Sequence, residues 1–354
     1  MNIAIVGIGN CASSLYQGLQ YYKKYGNVPG LINDRVGKYS LNDINMVLAY
    51  DVDYRKVGKT LKRAIVSEPN CTPLYMDINH IDEGPVVKMG NVLDGISNAV
   101  RDGMGVKQPD CNITSDIKND LIKNNVDILI NYLPVGSQKA TEYYAEVCLE
   151  TGVSFLNCIP IFIASDPTWS RRFKEKGIPI IGDDMKSQFG ASIVSQVLQE
   201  LAVTRGINVK AHIQRNIGGN SDFLNMSDTT RLASKKTSKE NVIRDKIDTI
   251  NTFVHAGPSE YISYHEDNKI ADIHMDMEGF LGSKIKLDLK LSVIDSPNSA
   301  GIVCDAVRYL KIARDMGMSG ALCGPSAFTQ KTPPCEMTFA ESIEECEKLS
   351  NTQK

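Results

Sequence analysis

The opening of the chain constrains the fold more than any other stretch. Asn2-Ile-Ala-Ile-Val-Gly7 is a short apolar run ending in glycine, Gly7-Ile-Gly9-Asn10-Cys-Ala12 follows at once, and helix-like sequence continues from Ala12 to about Tyr22. An apolar run closed by glycine reads as a buried strand, so the segment is strand, tight turn, helix. Two glycines permit the turn and let backbone approach a pyrophosphate, while the helix start offers it unpaired N–H groups. Gly7, Gly9, Asn10 and Ala12 are therefore candidate NAD-binding residues. The second strand, Met46 to Tyr50, ends at Asp51. A carboxylate there accepts from ribose hydroxyls and favours NAD over NADP. The acid comes later than the usual ~20 residues; the Gly/Pro loop over 26–42 accounts for the excess, and Arg55 nearby blurs the choice of cofactor. A tight βα turn with no ligand is the plain alternative.

Further strands are expected at 126–130, 154–157 and 178–181, with helices near 116–124, 138–150 and 167–176 between them. That alternation predicts an α/β fold with a Rossmann-like, doubly wound parallel sheet. After about residue 205 the pattern changes. Segments 209–216, 260–264, 269–278 and 284–294 are strand-like, and Lys286-Leu-Asp-Leu-Lys-Leu-Ser-Val293 alternates polar with apolar, the period of a half-buried strand. These predict an inserted α+β unit with an antiparallel sheet. Helical sequence returns at 299–316 and 341–349.

A length of 354 residues fits about two domains. A net charge of -3 argues against a nucleic-acid partner. No apolar run reaches the ~18 residues of a membrane span, and the start carries no signal-peptide pattern, so a cytoplasmic location is expected. The nine cysteines are odd in number and lack C-x-x-C spacing, which argues against a zinc cage or a disulfide framework. The five histidines are scattered. No metal site is expected, although carboxylates and a substrate phosphate can hold a loose stimulating cation without any motif.

Five segments carry chemistry. Gly182-Asp183-Asp184-Met-Lys186-Ser187-Gln-Phe-Gly190 follows a strand end, where ligands of open α/β sheets lie. A helix cap explains one of its polar groups but not four. Asn216-Ile-Gly-Gly-Asn220-Ser-Asp222 offers amides and bare backbone to a sugar or phosphate, and reads equally as a glycine turn. Lys235 and Lys239 share one face if helical, which suits an anion between them or simply a solvated basic face. Lys311 lies on a largely apolar stretch, where a lysine must snorkel or find a partner, and where burial would depress its pKa. Asp295-Ser-Pro-Asn-Ser-Ala-Gly301 before it suits anion binding or capping.

Taken together these residues resemble the myo-inositol-1-phosphate synthase family, in its short prokaryotic form. The stretches that carry the resemblance are Gly7–Leu15, Tyr132–Ser137, Phe162–Pro167, Gly182–Gly190, Asn216–Met226, Ser234–Lys239 and Asp295–Gly301. It implies a homotetramer with a discontinuous NAD-binding domain, 1–204 plus 297–354, and a catalytic and tetramerisation domain, 205–296. It implies catalytic lysines at Lys235, Lys239, Lys269 and Lys311. Ser187, Asp222, Lys235 and Tyr144 correspond to nucleotide contacts, and Asp183, Asp184, Lys186, Asn216, Asn220 and Asp295 fall in active-site motifs.

The reaction so implied is redox-neutral. The substrate, D-glucose 6-phosphate in its ring-opened form, loses a hydride from C5 to NAD, enolises, closes C6 onto the C1 aldehyde and regains the hydride. Negative charge develops on oxygen at each stage, which explains a demand for lysines. In this reading Lys311 shuttles the C5 hydroxyl proton, and Lys235 and Lys239 serve the phosphate and the ring-closing oxygens. A NAD(P)-dependent dehydrogenase with net oxidation, or a non-catalytic NAD-binding protein, would share the nucleotide domain but not the lysine set.

Overall fold

The structure, a computed structural model, describes residues 1–26, 29–104, 116–227 and 252–352. Two sheets organise it. The first is parallel and seven-stranded, built from β1 (Asn2–Val6), β2 (Asn45–Asp51), β3 (Val87–Met89), β4 (Ile128–Asn131), β5 (Ser154–Asn157), β6 (Pro179–Ile181) and β11 (Gly320–Ala321), in the order β11-β6-β5-β4-β1-β2-β3. Its inner strands are mostly apolar because both faces are covered. Helices Asn10–Tyr25 and Asp295–Asp315 bury one face, while Ile117–Lys123, Gln138–Thr151 and Pro167–Glu175 pack on the other. This is the Rossmann-like, doubly wound arrangement. Strand order reverses between β1 and β4, and a crevice opens there beyond their carboxyl ends.

The second sheet has the order β10-β9-β7-β8, from β7 (Asn208–Gly218), β8 (Phe253–Tyr261), β9 (Asn268–Glu278) and β10 (Lys284–Ile294). It departs from the antiparallel sheet expected of its strands. The sheet is mixed, because β8 runs parallel to β7 while β9 and β10 pair antiparallel. The strand expected at 260–264 instead occupies Phe253–Tyr261. Parallel pairing is set by where the intervening segment re-enters, which strand periodicity does not report. Helix Ala191–Thr204, just before the expected boundary at 204/205, packs Ala191, Val194, Leu198 and Ala202 on this second sheet.

The C-terminal part returns to the first sheet, where β11 pairs with β6 and helix Asp295–Asp315 shares the apolar cluster of β1. Cys323 and Cys335 are joined in a disulfide. One bridge is not a framework, and cysteine spacing did not single this pair out. Among the described residues no helix is long and apolar enough to cross a membrane, and no cluster of His, Cys, Asp or Glu is placed to hold a metal ion.

Candidate functional site

One cleft of about 250 Å³ runs from the carboxyl ends of β1 and β2 to the second sheet. Its glycine-turn end is shaped by backbone. Gly7 has φ +90°, and a Cβ there would stand 2.5 Å from the carbonyl oxygen of Tyr132. Only glycine lets β1 turn so close to the segment leaving β4. Gly9 begins helix Asn10–Tyr25 with no side-chain cap, leaving its first N–H groups to the cleft. Asn10 Oδ1 accepts from the amides of Cys71 and Thr72, at 2.7 and 3.1 Å, and so ties the turn to a facing loop. Asp51 Oδ2 accepts from Ile8 N at 2.7 Å, joining the tip of β2 to the glycine turn. Gly7, Gly9, Asn10, Ala12, Asp51 and Tyr144 all line this end.

Sequence reasoning missed Lys56. It is buried at the same end, donating to Ile8 O at 2.6 Å and Asn70 Oδ1 at 2.9 Å, and burial lowers its pKa. No spacing rule marks it, because the loop after β2 folds back under the turn.

The far end is built from side chains. Register pairs Lys269 with Val293, two residues before Asp295, so Lys269 Nζ donates to the Asp295 carboxylate. Asp295 opens helix Asp295–Asp315, and both residues line the cleft. Asp184, also in the lining and in the left-handed conformation at φ 62°, accepts from Lys331 Nζ at 2.8 Å. Lys331 was also missed. It arrives because the strand-like contact of 329–332 with 183–186 threads the segment past β6: Lys331 N donates to Asp184 O at 2.7 Å and Lys186 N to Thr329 O at 2.8 Å. The Cys323–Cys335 bridge closes the segment that carries it. Ser187, Asn216, Asn220 and Asp222 line the same end, with Gly190, Ala191 and Ser192 at the start of helix Ala191–Thr204. Asn220 also caps Ser221–Asn225, accepting from Asp222 N and Phe223 N.

Three expected site residues are not brought to the cleft. Lys311 lies near the end of the helix that Asp295 begins, about 24 Å along its axis at 1.5 Å per residue. Its Nζ meets Asp315 at 2.7 Å and Asp127 at 3.3 Å, at the amino ends of the strands. Burial opposes its charge, but these carboxylates outweigh burial and raise its pKa, the reverse of the expected depression. Asp183 turns into the loop behind the cleft. It accepts from Asn157 Nδ2 at 2.7 Å, from the amides of Ile163, Ala164 and Ser165, and from Ser165 Oγ. Burial nonetheless pushes its pKa up to about 6. Lys186 is buried and donates to Ala327 O at 2.7 Å, holding the C-terminal segment. The basic pair Lys235 and Lys239 lies outside the described residues.

Comparison with known proteins points one way. Residues 190–296 match a family model described as myo-inositol-1-phosphate synthase. Over 348 residues the protein is 41% identical to the inositol-3-phosphate synthase of Mycolicibacterium smegmatis, covering 95% of this chain and 94% of that one. The crystal structure of Ari2 is similar over 100% of this chain and 99% of its own, at 31% identity and a TM-score of 0.79. A myo-inositol-1-phosphate synthase-related protein from Thermotoga maritima shares the fold, with 24% identity, a TM-score of 0.84, and coverage of 99% and 98%.

Proposed function

Because the chain belongs to the myo-inositol-1-phosphate synthase family, we propose that it is an NAD-dependent isomerase that cyclises D-glucose 6-phosphate to 1L-myo-inositol 1-phosphate. The observation that carries this reading is the pairing of two lysines with two carboxylates, Lys269–Asp295 and Lys331–Asp184, on walls of a cleft continuous with the glycine turn. Ordinary hydride transfer needs one proton relay; ring closure needs several oxyanions stabilised in sequence.

The nucleotide end suits NAD. A Cβ would fill the cradle at Gly7, and the uncapped helix start offers N–H groups to a pyrophosphate. Gly7, Gly9, Asn10, Ala12 and Asp51 would hold it, with Tyr144, Ser187 and Asp222 lining its chamber. When bound it supplies a reversible hydride acceptor. The sugar phosphate would place its anion at the start of helix Ala191–Thr204, where Gly190, Ala191 and Ser192 present first-turn amides. Gly190 packs closely there, since a Cβ would stand 2.8 Å from that of Ser187.

Lys269 and Lys331 hold and move protons at the sugar oxygens as charge develops, and Asp295 and Asp184 aim them. Lys235 and Lys239 complete the lysine set in this reading. Lys311 has no part in it. Assembly as a homotetramer is part of the same proposal. The β9–β10 hairpin leaves Phe280 and Leu281 87% and 90% exposed, apolar surface that another copy would cover.

The test is incubation with glucose 6-phosphate and NAD. The expected product is an inositol phosphate, identified by NMR, with no net absorbance gained at 340 nm. Net NADH would identify a dehydrogenase, and no turnover a cofactor-binding protein. Light scattering reads the assembly, and an active monomer would contradict the tetramer.

A further inference from the structure

β7 presents a polar strip to helix Ala191–Thr204, in an interface that is otherwise apolar. His212, Gln214 and Asn216 alternate along one face of the strand. Ser195 and Gln199, one turn apart on the helix, meet them. All five are buried, with exposures between 0% and 3%.

Their hydrogen bonds form one relay, and a single atom sets its direction. The carbonyl oxygen of Gly257 can only accept, so Asn216 Nδ2 donates to it, at 2.7 Å. Asn216 Oδ1 therefore faces Gln214 and accepts from its Nε2 at 3.1 Å. Gln214 Oε1 in turn accepts from Ser195 Oγ at 2.9 Å. That hydroxyl, its proton committed, accepts from His212 Nε2 at 3.0 Å. Nδ1 of the neutral ring is left to accept from Gln199 Nε2 at 2.5 Å. Each step follows from what the groups can donate or accept. Burial pushes the His212 imidazole down to about 4, so the ring is neutral over the working range.

Gln214 and Asn216 both reach the cleft. We propose that Ser195 and His212 are positioning residues that hold the Gln214 amide with its NH₂ group toward the cleft, as a fixed donor to an oxygen of the bound sugar phosphate. One Nε2 proton is committed to Asn216 and the second serves the ligand. Without Ser195 the glutamine keeps only its bond to Asn216, and its NH₂ group loses the second anchor that aims it at the oxyanions the lysines stabilise. This inference rests on the reading of the cleft as a sugar-phosphate site.

Two measurements test it. Ser195→Ala should raise KM for glucose 6-phosphate about tenfold, the equivalent of one hydrogen bond to a charged group, with NAD affinity unchanged. Ser195→Thr keeps the hydroxyl and should restore KM. Equal KM values in the two variants and the parent would overturn the proposal. The second measurement needs no turnover. ¹⁵N NMR of histidine-labelled protein, assigned by loss of the signal in His212→Gln, should show the Nε2–H tautomer near neutral pH. The Nδ1–H tautomer would reverse the relay and overturn the proposal. A parent that binds NAD but leaves glucose 6-phosphate unchanged would break the substrate reading, and the tautomer would still decide the direction of the relay.

Discussion

The two ends of the cleft are made differently. At the nucleotide end the working surface is backbone: a turn that tolerates no Cβ at Gly7, an uncapped helix start, and an acid that ties β2 to that turn. At the far end it is side chains, and they come from distant segments. Asp184 follows β6, Lys269 lies on β9, Asp295 follows β10, and Lys331 arrives after β11. In the proposed reading a cofactor common to many enzymes would be held largely by geometry that one βαβ unit supplies. Chemistry specific to one substrate needs several charged groups gathered in one place, and these come from different parts of the sequence.

The sharpest way to break this contrast is at Lys331. Replacing it with methionine takes this partner from Asp184 and removes a cation from the cleft. Turnover of glucose 6-phosphate should fall about 10²–10³-fold, as for loss of one oxyanion donor, while NAD titration is unchanged. A variant with normal turnover would take Lys331 out of the chemistry.

Stability against pH probes two buried groups behind the far end. The folded-state pKa of Asp183 is raised from 3.8 to about 6, so its contribution is fully present below 3.8 and lost as pH rises through 6. His212 is the reverse. Lowered from 6.5 to about 4, its contribution is present above 6.5 and lost as pH falls through 4. Each is worth about 3 kcal/mol over its window, so in the parent they largely cancel between pH 6.5 and 4. His212→Gln removes one of the two. Urea unfolding across that range should show the variant gaining up to about 3 kcal/mol on the parent as pH falls. Parallel curves would mean that His212 accepts a proton in place.

Asp51→Ala sharpens the comparison at the nucleotide end. Loss of the bond to Ile8 N weakens NAD and NADP alike, so only the difference reports on ribose. NAD affinity should fall about tenfold more than NADP affinity, in keeping with one charged hydrogen bond. Equal losses would confine Asp51 to bracing the turn.

The smallest effect belongs to Lys311→Met. Its partners Asp315 and Asp127 are partly exposed, and such pairs contribute under about 1 kcal/mol. Turnover should match the parent, and the melting temperature should drop slightly. Loss of activity here would bring Lys311 back into the mechanism and contradict its placement at the amino ends of the strands.

The sequence by itself determined the parallel sheet, the glycine turn and most element positions in it, because these follow from local periodicity and from positions where nothing but glycine fits. The motifs around Asp184, Ser187, Asn216 and Asp295 were also legible, since each sits at a strand end where ligands bind. Only the tertiary structure decided which lysines face the cleft. Lys311 and Lys331 look alike as isolated residues, and the former has the more suggestive apolar setting. A rigid helix carries Lys311 away from the site that its first residue lines, while Lys331 is drawn in by backbone bonds to residues 183–186. Likewise Asp183 and Asp184 are neighbours in one motif, yet the left-handed turn at Asp184 sends one carboxylate to the cleft and the other into a nest of amides. The parallel course of β8 and the opposition of Lys269 to Asp295 rest on strand register and on where the backbone re-enters the sheet, long-range choices that no window of neighbouring residues records.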